Sequence, residues 1–220
     1  MTNDLRNWLV CFILTAASAL ISYKWFDRPI AFFVHDHMSQ KDIFIWLERI
    51  PEALPPLAAL AFIALGLLAL SKSRVSMFQA ELLLCSISLV VAEAIKDQLK
   101  FVFGRTWPET WVSNNPSLIQ DGIYGFHPFH GGIGFASFPS GHAAAICAVM
   151  SILWIYYQKF RPLYVICVAT VVVGLIGANY HFFSDIIVGA FIGVSTGWMA
   201  VAIWQLANSD SLGSDSFRTK

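Results

Sequence analysis

The sequence predicts an all-α membrane protein in which six helices cross the bilayer. Hydrophobic residues make up 57% of the 220 residues and charged residues 13%, about half the charged fraction of an average soluble domain. Six apolar runs approach the roughly 20 residues that a spanning helix needs. These runs are residues 8–23, 54–71, 77–103, 140–157, 163–180 and 185–206. We therefore expect residues 1–220 to form a single transmembrane domain.

The first run is the shortest and also carries a feature of a secretory signal peptide. Ala17-Ser18-Ala19 resembles a signal-peptidase site. However, the preceding segment has Arg6 as its one basic residue and also contains Asp4, whereas a signal peptide begins with a positively charged region. The sequence therefore favours a first helix that is not cleaved.

Basic residues in the short turns predict how the helices are oriented. Short loops rich in Lys and Arg favour the cytoplasm, and the turns after the second and fourth runs contain basic residues but no acidic ones. The basic residues on that side, both termini included, are Arg6, Lys72, Arg74, Lys159, Arg161, Arg218 and Lys220. The long connections, residues 24–53 and 104–138, then face outward.

The two long connections have different compositions. Residues 24–53 include apolar side chains at helical spacing from Ile43 to Ile50, which predicts an outer interfacial helix. Residues 104–138 form an outer loop rich in Gly, Pro, Asn and Trp. Loops of that length in compact proteins are usually functional segments or lids.

The sequence Pro-Ser-Gly-His at residues 139–142 opens the fourth run and predicts an anion-binding helix N-terminus. Pro is tolerated in a first helical turn, and Ser is a preferred capping residue. The first backbone N–H groups of a helix have no acceptor within it, so they suit a phosphate. His142 lies in the first turn, where its side chain can reach a bound group.

Charged side chains also accumulate at the outer end of the third run. They are Glu93, Lys96, Asp97, Lys100 and, just beyond the run, Arg105. Several recur every three or four residues and therefore share one helix face. One interpretation is an ion-pair ladder in which Glu93 pairs with Lys96 or Lys100. The other is a site in which Lys100 and Arg105 bind an anion.

A histidine and a carboxylate meet where the fifth run ends and the sixth begins. His181 and Asp185 are four residues apart, so in a helical segment they share one face. A carboxylate there can hold the imidazole in one tautomer and stabilise its charged form, as in a nucleophile–base–orienter arrangement.

These motifs resemble those of the type 2 phosphatidic acid phosphatase (PAP2) superfamily, which includes membrane lipid phosphatases and soluble vanadium haloperoxidases. The resemblance rests on residues 139–142, on the pair His181 and Asp185, and on Lys100 with Pro108. It covers about residues 100–189, and the six-span plan extends it over the whole chain.

The resemblance implies a role for each residue of these motifs. It implies that His181 attacks phosphorus to give a phosphohistidine, with Asp185 orienting it. It implies that His142 protonates the leaving alcohol and later activates water. Lys100 and the backbone at Ser140 and Gly141 would hold the phosphate oxygens. No metal or other cofactor is implied, and the sequence has no acidic cluster suited to one.

Two positions depart from the pattern of the superfamily. Its first motif has Lys, six residues, then Arg-Pro, but Trp107 stands where that Arg would be. Arg105, two residues earlier, is our candidate substitute. Its third motif usually opens with Ser-Arg, and here Gly174 and Leu175 occupy those positions. One of the cations that usually bind the phosphate is therefore missing, and Asn179 is our candidate for a neutral hydrogen bond to the phosphate.

The long outer loop supplies further candidates for the missing interactions. Its polar candidates are Glu109, Asn114, Asn115, His127 and His130; packing within the loop is the alternative interpretation. Its aromatic residues are Trp107, Trp111, Tyr124, Phe126 and Phe129. They suit either the lipid headgroup level or an entry for an acyl or prenyl chain.

The sequence thus predicts a metal-independent phosphatase of a phosphorylated membrane lipid. Undecaprenyl pyrophosphate, phosphatidylglycerophosphate, phosphatidic acid and lipid A are all compatible substrates. We place it in a bacterial inner membrane with its active site facing the periplasm or exterior. The formal net charge of zero gives no reason to expect a nucleic-acid partner, and no oligomeric state is predicted. The alternatives are a lipid-to-lipid phosphotransferase and a non-catalytic lipid or anion transporter.

Overall fold

The computed structural model describes residues 3–38, 41–71, 76–111 and 113–215 and is all-helical. Its described residues contain nine α-helices and no β-strand, as the sequence predicts. The helices are α1 (Asn3–Trp25), α2 (Asp27–His37), α3 (Asp42–Glu48), α4 (Leu54–Leu70), α5 (Met77–Phe103), α6 (Leu118–Asp121), α7 (Gly141–Tyr156), α8 (Arg161–Gly177) and α9 (Phe183–Asp215).

Within the described residues, five helical segments are long and apolar enough to cross a membrane. They are Asp4–Trp25, Asp42–Leu68, Met77–Phe103, Gln158–Gly177 and Phe183–Asn208. Each overlaps one of the six predicted runs. The remaining run corresponds to α7, an apolar helix of 16 residues that is shorter than the other five.

The short helix α7 lies at the centre of the bundle, between α5, α8 and α9. Its outer half is built from alanines that are almost fully buried, Ala143, Ala144, Ala145 and Ala148. The facing side of α9 has glycines at positions 189, 193 and 197. A Cβ atom added at Gly193 would lie 2.3 Å from the Ala144 carbonyl oxygen. These small residues let the two backbones approach closely.

Residues 24–53, which the sequence predicts to be an interfacial segment on the outer side, form α2, α3 and a 3₁₀ turn (Ile50–Ala53) in their described part. The exposed side of α3 carries Ile43 and Trp46, whereas Phe44 and Glu48 face α8. The backbone of α3 lies so close to α8 that only glycine fits at the contact. A Cβ atom at Gly174 would lie 2.6 Å from the Glu48 amide nitrogen.

The loop of residues 104–138, which the sequence predicts to face outward and which keeps the name outer loop, folds over the helix ends that carry the predicted motifs. Gly104 ends α5 in the left-handed conformation (φ 56°), and an added Cβ there would lie 1.9 Å from the His127 carbonyl oxygen. Tyr124 from this loop stacks on Tyr23 of α1, with ring centroids 4.9 Å apart. The loop is therefore tied both to α5 and to the N-terminal helix.

Only some of the basic residues that predict the orientation lie within the described residues. Lys159 lies in the 3₁₀ turn Gln158–Phe160, and Arg161 begins α8. Lys72, Arg74, Arg218 and Lys220 lie outside the described residues.

Candidate active site

A cleft of about 390 Å³ opens at the end of the bundle that the loop of residues 104–138 covers. Its walls come from the C-terminal end of α5, the first turn of α7, the α8–α9 link, the outer loop and the segment from α3 to the start of α4. The predicted site residues that line it are Lys100, Gly141, His142 and His181. Residues from three separate motifs therefore meet in one place.

His181 lies at the base of this cleft with Asp185 behind it. His181 Nδ1 is 3.6 Å from Asp185 Oδ2, and both side chains are almost fully buried. The distance is longer than a hydrogen bond, although such contacts commonly tighten only when substrate binds. Since Nδ1 faces the carboxylate, Nε2 is the ring nitrogen on the other side.

Asp185 is held by several donors, which fix its orientation toward His181. Oδ2 accepts hydrogen bonds from Ser137 Oγ at 2.6 Å and from the Phe182 amide at 3.0 Å. Oδ1 pairs with the Arg105 guanidinium. Burial lowers the pKa of the His181 imidazole, and this outweighs the opposing effect of Asp185. The neutral imidazole with a free lone pair is therefore the favoured form.

His142 lies across the cleft in the first turn of α7, and its side chain is 30% exposed. Ser140 is the N-cap of α7, and its Oγ accepts a hydrogen bond from the Ala143 amide at 3.4 Å. The Ser140 amide donates to the Asp185 carbonyl oxygen at 3.0 Å. This backbone bond connects the beginning of α7 to the beginning of α9, and so fixes the two histidine-bearing segments relative to each other.

Two lysines of α5 line the cleft beside His142. Lys96 Nζ contacts Glu93 Oε2 at 2.7 Å and Asp97 Oδ1 at 3.0 Å, so the predicted ion pair with Glu93 is present. Lys96 also lies against the first turn of α7, because a Cβ atom at Gly141 would be 3.5 Å from its Nζ. Lys100 has no ion-pair partner among the described residues.

Arg105 does not line the cleft, contrary to the anion-binding position considered from the sequence. Its side chain is completely buried, and Nη2 contacts Asp27 Oδ2 at 2.7 Å while Nη1 pairs with Asp185. Nη1 also donates to Ser184 Oγ at 2.6 Å. The guanidinium therefore lies behind Asp185 and away from the cleft, just after the left-handed turn at Gly104.

Asn179 also lies away from the cleft. It adopts a left-handed backbone conformation (φ 58°) in the α8–α9 link, and its side chain is buried. Nδ2 donates to the Ala31 carbonyl oxygen and to Glu109 Oε2, both at 3.1 Å. Asn179 therefore ties the link to α2 and to the outer loop.

The polar loop residues considered as replacements also take other positions. Glu109 pairs with Lys41 and His35. Burial raises the pKa of Glu109, but its bonds to Lys41 and Asn179 outweigh this and hold the pKa below its usual value. His127 and His130 pack against Phe135, with ring centroids 5.2 Å and 5.1 Å away. Asn115 is buried and donates to the Glu109 carbonyl oxygen, whereas Asn114 is exposed.

Trp107 occupies the place of the first-motif Arg and packs directly on His181, with ring centroids 5.2 Å apart. Its Nε1 donates to the Ile133 carbonyl oxygen at 2.7 Å. Trp111 contacts both Trp107 and Tyr180. Both tryptophans line the cleft, so this wall is aromatic.

Sequence reasoning missed the wall formed by α3 and the 3₁₀ turn, which brings Glu48, Arg49 and Glu52 to the cleft. Donor atoms of Glu48, Glu52 and His142 lie within 4.8 Å of one another, a set that could hold a metal ion. The available signal was indirect. Gly174 and Gly177 in an apolar helix mark a place where another backbone can approach closely.

The fold and the cleft define a helical membrane protein with a histidine–carboxylate pair, a second histidine and two lysines at one end of its bundle. The sequence model of the PAP2 superfamily matches residues 81–209, which is more than half of the chain. The chain belongs to this superfamily, and the matched region contains every residue of the predicted motifs.

Two curated relatives have the same name. The lipid A 1-phosphatase of Rhizobium etli is 25% identical over 114 residues, or 52% of this chain and 45% of the relative. The lipid A 1-phosphatase of Rhizobium johnstonii is 26% identical over 106 residues, or 48% of this chain and 41% of the relative. The match thus spans less than half the length of either relative. No solved structure matches the chain.

Proposed function

We propose that this protein is a lipid phosphatase that removes phosphate from a membrane lipid through a phosphohistidine intermediate. The observation that carries the proposal is the convergence of His181, backed by Asp185, with His142 and Lys100 in one cleft. Membership of the PAP2 superfamily supports the reaction class. The names of the two relatives favour lipid A among the compatible substrates, beside undecaprenyl pyrophosphate, phosphatidylglycerophosphate and phosphatidic acid.

In the first chemical step, His181 Nε2 attacks phosphorus and forms a P–N bond as the P–O bond to the lipid breaks. The electron pair of that bond goes to the leaving oxygen, which takes a proton from His142. In the second step, water attacks phosphorus and gives a proton to His142, and the P–N bond breaks. Inorganic phosphate leaves, and His181 returns to its neutral form. Asp185 stabilises the positive imidazole during both steps.

The phosphate would be bound by the amides at the start of α7 together with Lys96 and Lys100. Helix N-terminal amides and nearby cations stabilise charge that develops on the transferred group. Lys96 lies beside Gly141. We assign to it the role of the phosphate-binding cation that is missing from the motifs. Charge stabilisation by these groups makes a metal unnecessary in this mechanism.

We also propose that α7 is a sixth span. Its 16 residues extend about 24 Å, short of the roughly 30 Å hydrocarbon core, and its position at the centre of the bundle shields it from lipid. The cleft lies at the α7 end opposite the turn that carries Lys159 and Arg161. This arrangement favours an inner-membrane protein whose active site faces the periplasm.

Phosphate release by the detergent-purified protein tests the proposed function. Lipid mono- and diphosphates of the four candidate classes are supplied with EDTA present, and inorganic phosphate is measured over time. We expect release from at least one class, unaffected by EDTA. Absence of release from every lipid would refute the hydrolase, and release that EDTA abolishes would refute the metal-independent mechanism.

Replacing Lys96 with glutamine tests the proposed phosphate site. We expect kcat/KM to fall about tenfold or more, since a hydrogen bond from a charged group contributes about 1.5–3 kcal/mol. Inhibition by inorganic phosphate should weaken in parallel. Lys159→Gln, a change in the opposite turn, is the matched control. An unchanged kcat/KM combined with a lower Tm would mean that Lys96 serves only its ion pair with Glu93.

A further inference from the structure

The contact between Glu48 and His142 lies outside the motifs of the superfamily. We propose that Glu48 is a positioning residue that holds the His142 ring in the orientation from which it donates a proton to the leaving oxygen. The proposal rests on the function proposed above, since it concerns how the leaving oxygen receives its proton. Neither the match to residues 81–209 nor the predicted motifs include Glu48.

Glu48 is a buried carboxylate aimed at the catalytic histidine. Its side chain is 3% exposed, and Oε2 lies 3.2 Å from His142 Nε2. The contact is close but not aligned as a hydrogen bond, and Oε2 has no other hydrogen-bond partner among the residues that the structure describes. An isolated buried carboxylate is costly, so the imidazole is the group that can offset its burial.

The surroundings of His142 give this carboxylate a specific task. The charged and titratable groups that line the cleft with His142 come from three places. The helix α5 contributes Glu93, Lys96 and Lys100, and the α8–α9 link contributes Tyr180 and His181. The end of α3 and the 3₁₀ turn after it contribute Glu48, Arg49 and Glu52. Glu48 contacts Nε2 of the His142 ring, so Nδ1 is the ring nitrogen left to face the leaving oxygen. A ring that rotated away from Glu48 would lose this alignment.

Two glycines of α8, Gly174 and Gly177, let Glu48 reach this position. Because Gly174 has no side chain, the Glu48 amide fits against it. Because Gly177 has none, the Phe44 ring fits there, where an added Cβ atom would lie 2.2 Å from Phe44 Cδ1. These two glycines therefore let α3 dock against α8 and bring Glu48 to the cleft.

The Glu48→Gln variant tests the proposal with two substrates that differ only in their leaving group. One is dodecyl phosphate, whose alcohol needs a proton to leave. The other is 4-dodecyl-2-nitrophenyl phosphate, whose phenolate leaves without one. We expect kcat/KM for the alkyl ester to fall about 100-fold, within the range of general acid catalysis, and that for the aryl ester to change less than threefold. The ratio kcat/KM is chosen because it reports the step in which the leaving group departs.

Two further variants make the result decisive. Glu48→Asp, which keeps the charge, should recover part of the alkyl-ester activity. Asp42→Asn changes an exposed carboxylate on the same short helix and should leave both esters unaffected.

An equal loss of activity on both esters would overturn the proposal, because it would indicate a purely structural role. Full activity of Glu48→Gln on the alkyl ester would also overturn it. These outcomes differ from failure of the proposed function itself. In that case the wild-type protein would release phosphate from neither ester.

Discussion

Replacing His181 with alanine should lower phosphate release by on the order of 10⁴-fold or more, because no other group in the cleft can form the covalent intermediate in its position. The measurement is phosphate release from the best lipid substrate in detergent. His130→Ala is the matched control, since His130 packs on Phe135 in the outer loop, away from the cleft, and it should retain full activity.

The same variant should lose the covalent intermediate. Wild-type protein mixed briefly with ³²P-labelled lipid and quenched in base should carry label that is stable to base and released by acid, as a phosphoramidate is. His181→Ala should carry none, whereas His142→Ala should form label slowly and release it slowly. Labelled His181→Ala protein, or undiminished turnover by that variant, would refute the proposed nucleophile.

Replacing Arg105 with methionine should strongly destabilise the fold. Arg105 is the partner of two buried carboxylates, Asp27 and Asp185, and removing one member of a buried ion pair typically costs about 3–5 kcal/mol. For a chain of this size that corresponds to a fall in Tm of roughly 10 °C. The measurement is thermal unfolding in detergent, followed by tryptophan fluorescence.

Two companion variants separate this effect from loss of a phosphate contact. Arg28→Met removes an exposed guanidinium that lies 5.7 Å from the centre of the Tyr124 ring, and its Tm should stay close to that of the wild type. Asp27→Asn combined with Arg105→Met should regain part of the lost Tm, because one uncompensated charge is removed. A normal Tm with a raised KM in Arg105→Met would instead support direct binding of phosphate by Arg105.

The parts of the site that the sequence predicts well are those encoded locally. His181 and Asp185 are four residues apart at the start of a helix, and His142 follows a capping serine. Spacing alone therefore predicts that each lies at a helix terminus on the outer side. Lys100 likewise follows from its position in the last turn of α5.

The parts of the site that the sequence predicts poorly depend on contacts between distant segments. Arg105 lies two residues from the usual place of a phosphate-binding Arg, yet its partner Asp27 is 78 residues away, and no local pattern indicates this pairing. Glu48 reaches His142 only because Gly174 accepts the backbone of α3. The span count shows the same limit, because length and composition identify five spans among the described residues and leave out the shorter helix α7, whose packing against α5, α8 and α9 only the structure shows.

The position of Asp27 has a consequence for the smallest part of this chain that can fold. Asp27 begins α2, far outside the region matched by the superfamily, and it also accepts hydrogen bonds from Ser22 Oγ and the Ser184 amide. A fragment beginning at α5 would keep every motif residue but would bury the Arg105 guanidinium with only one of its two counter-ions. The N-terminal helices thus supply a counter-ion to the part of the chain that forms the cleft, and a truncation that removes them should not yield a folded protein.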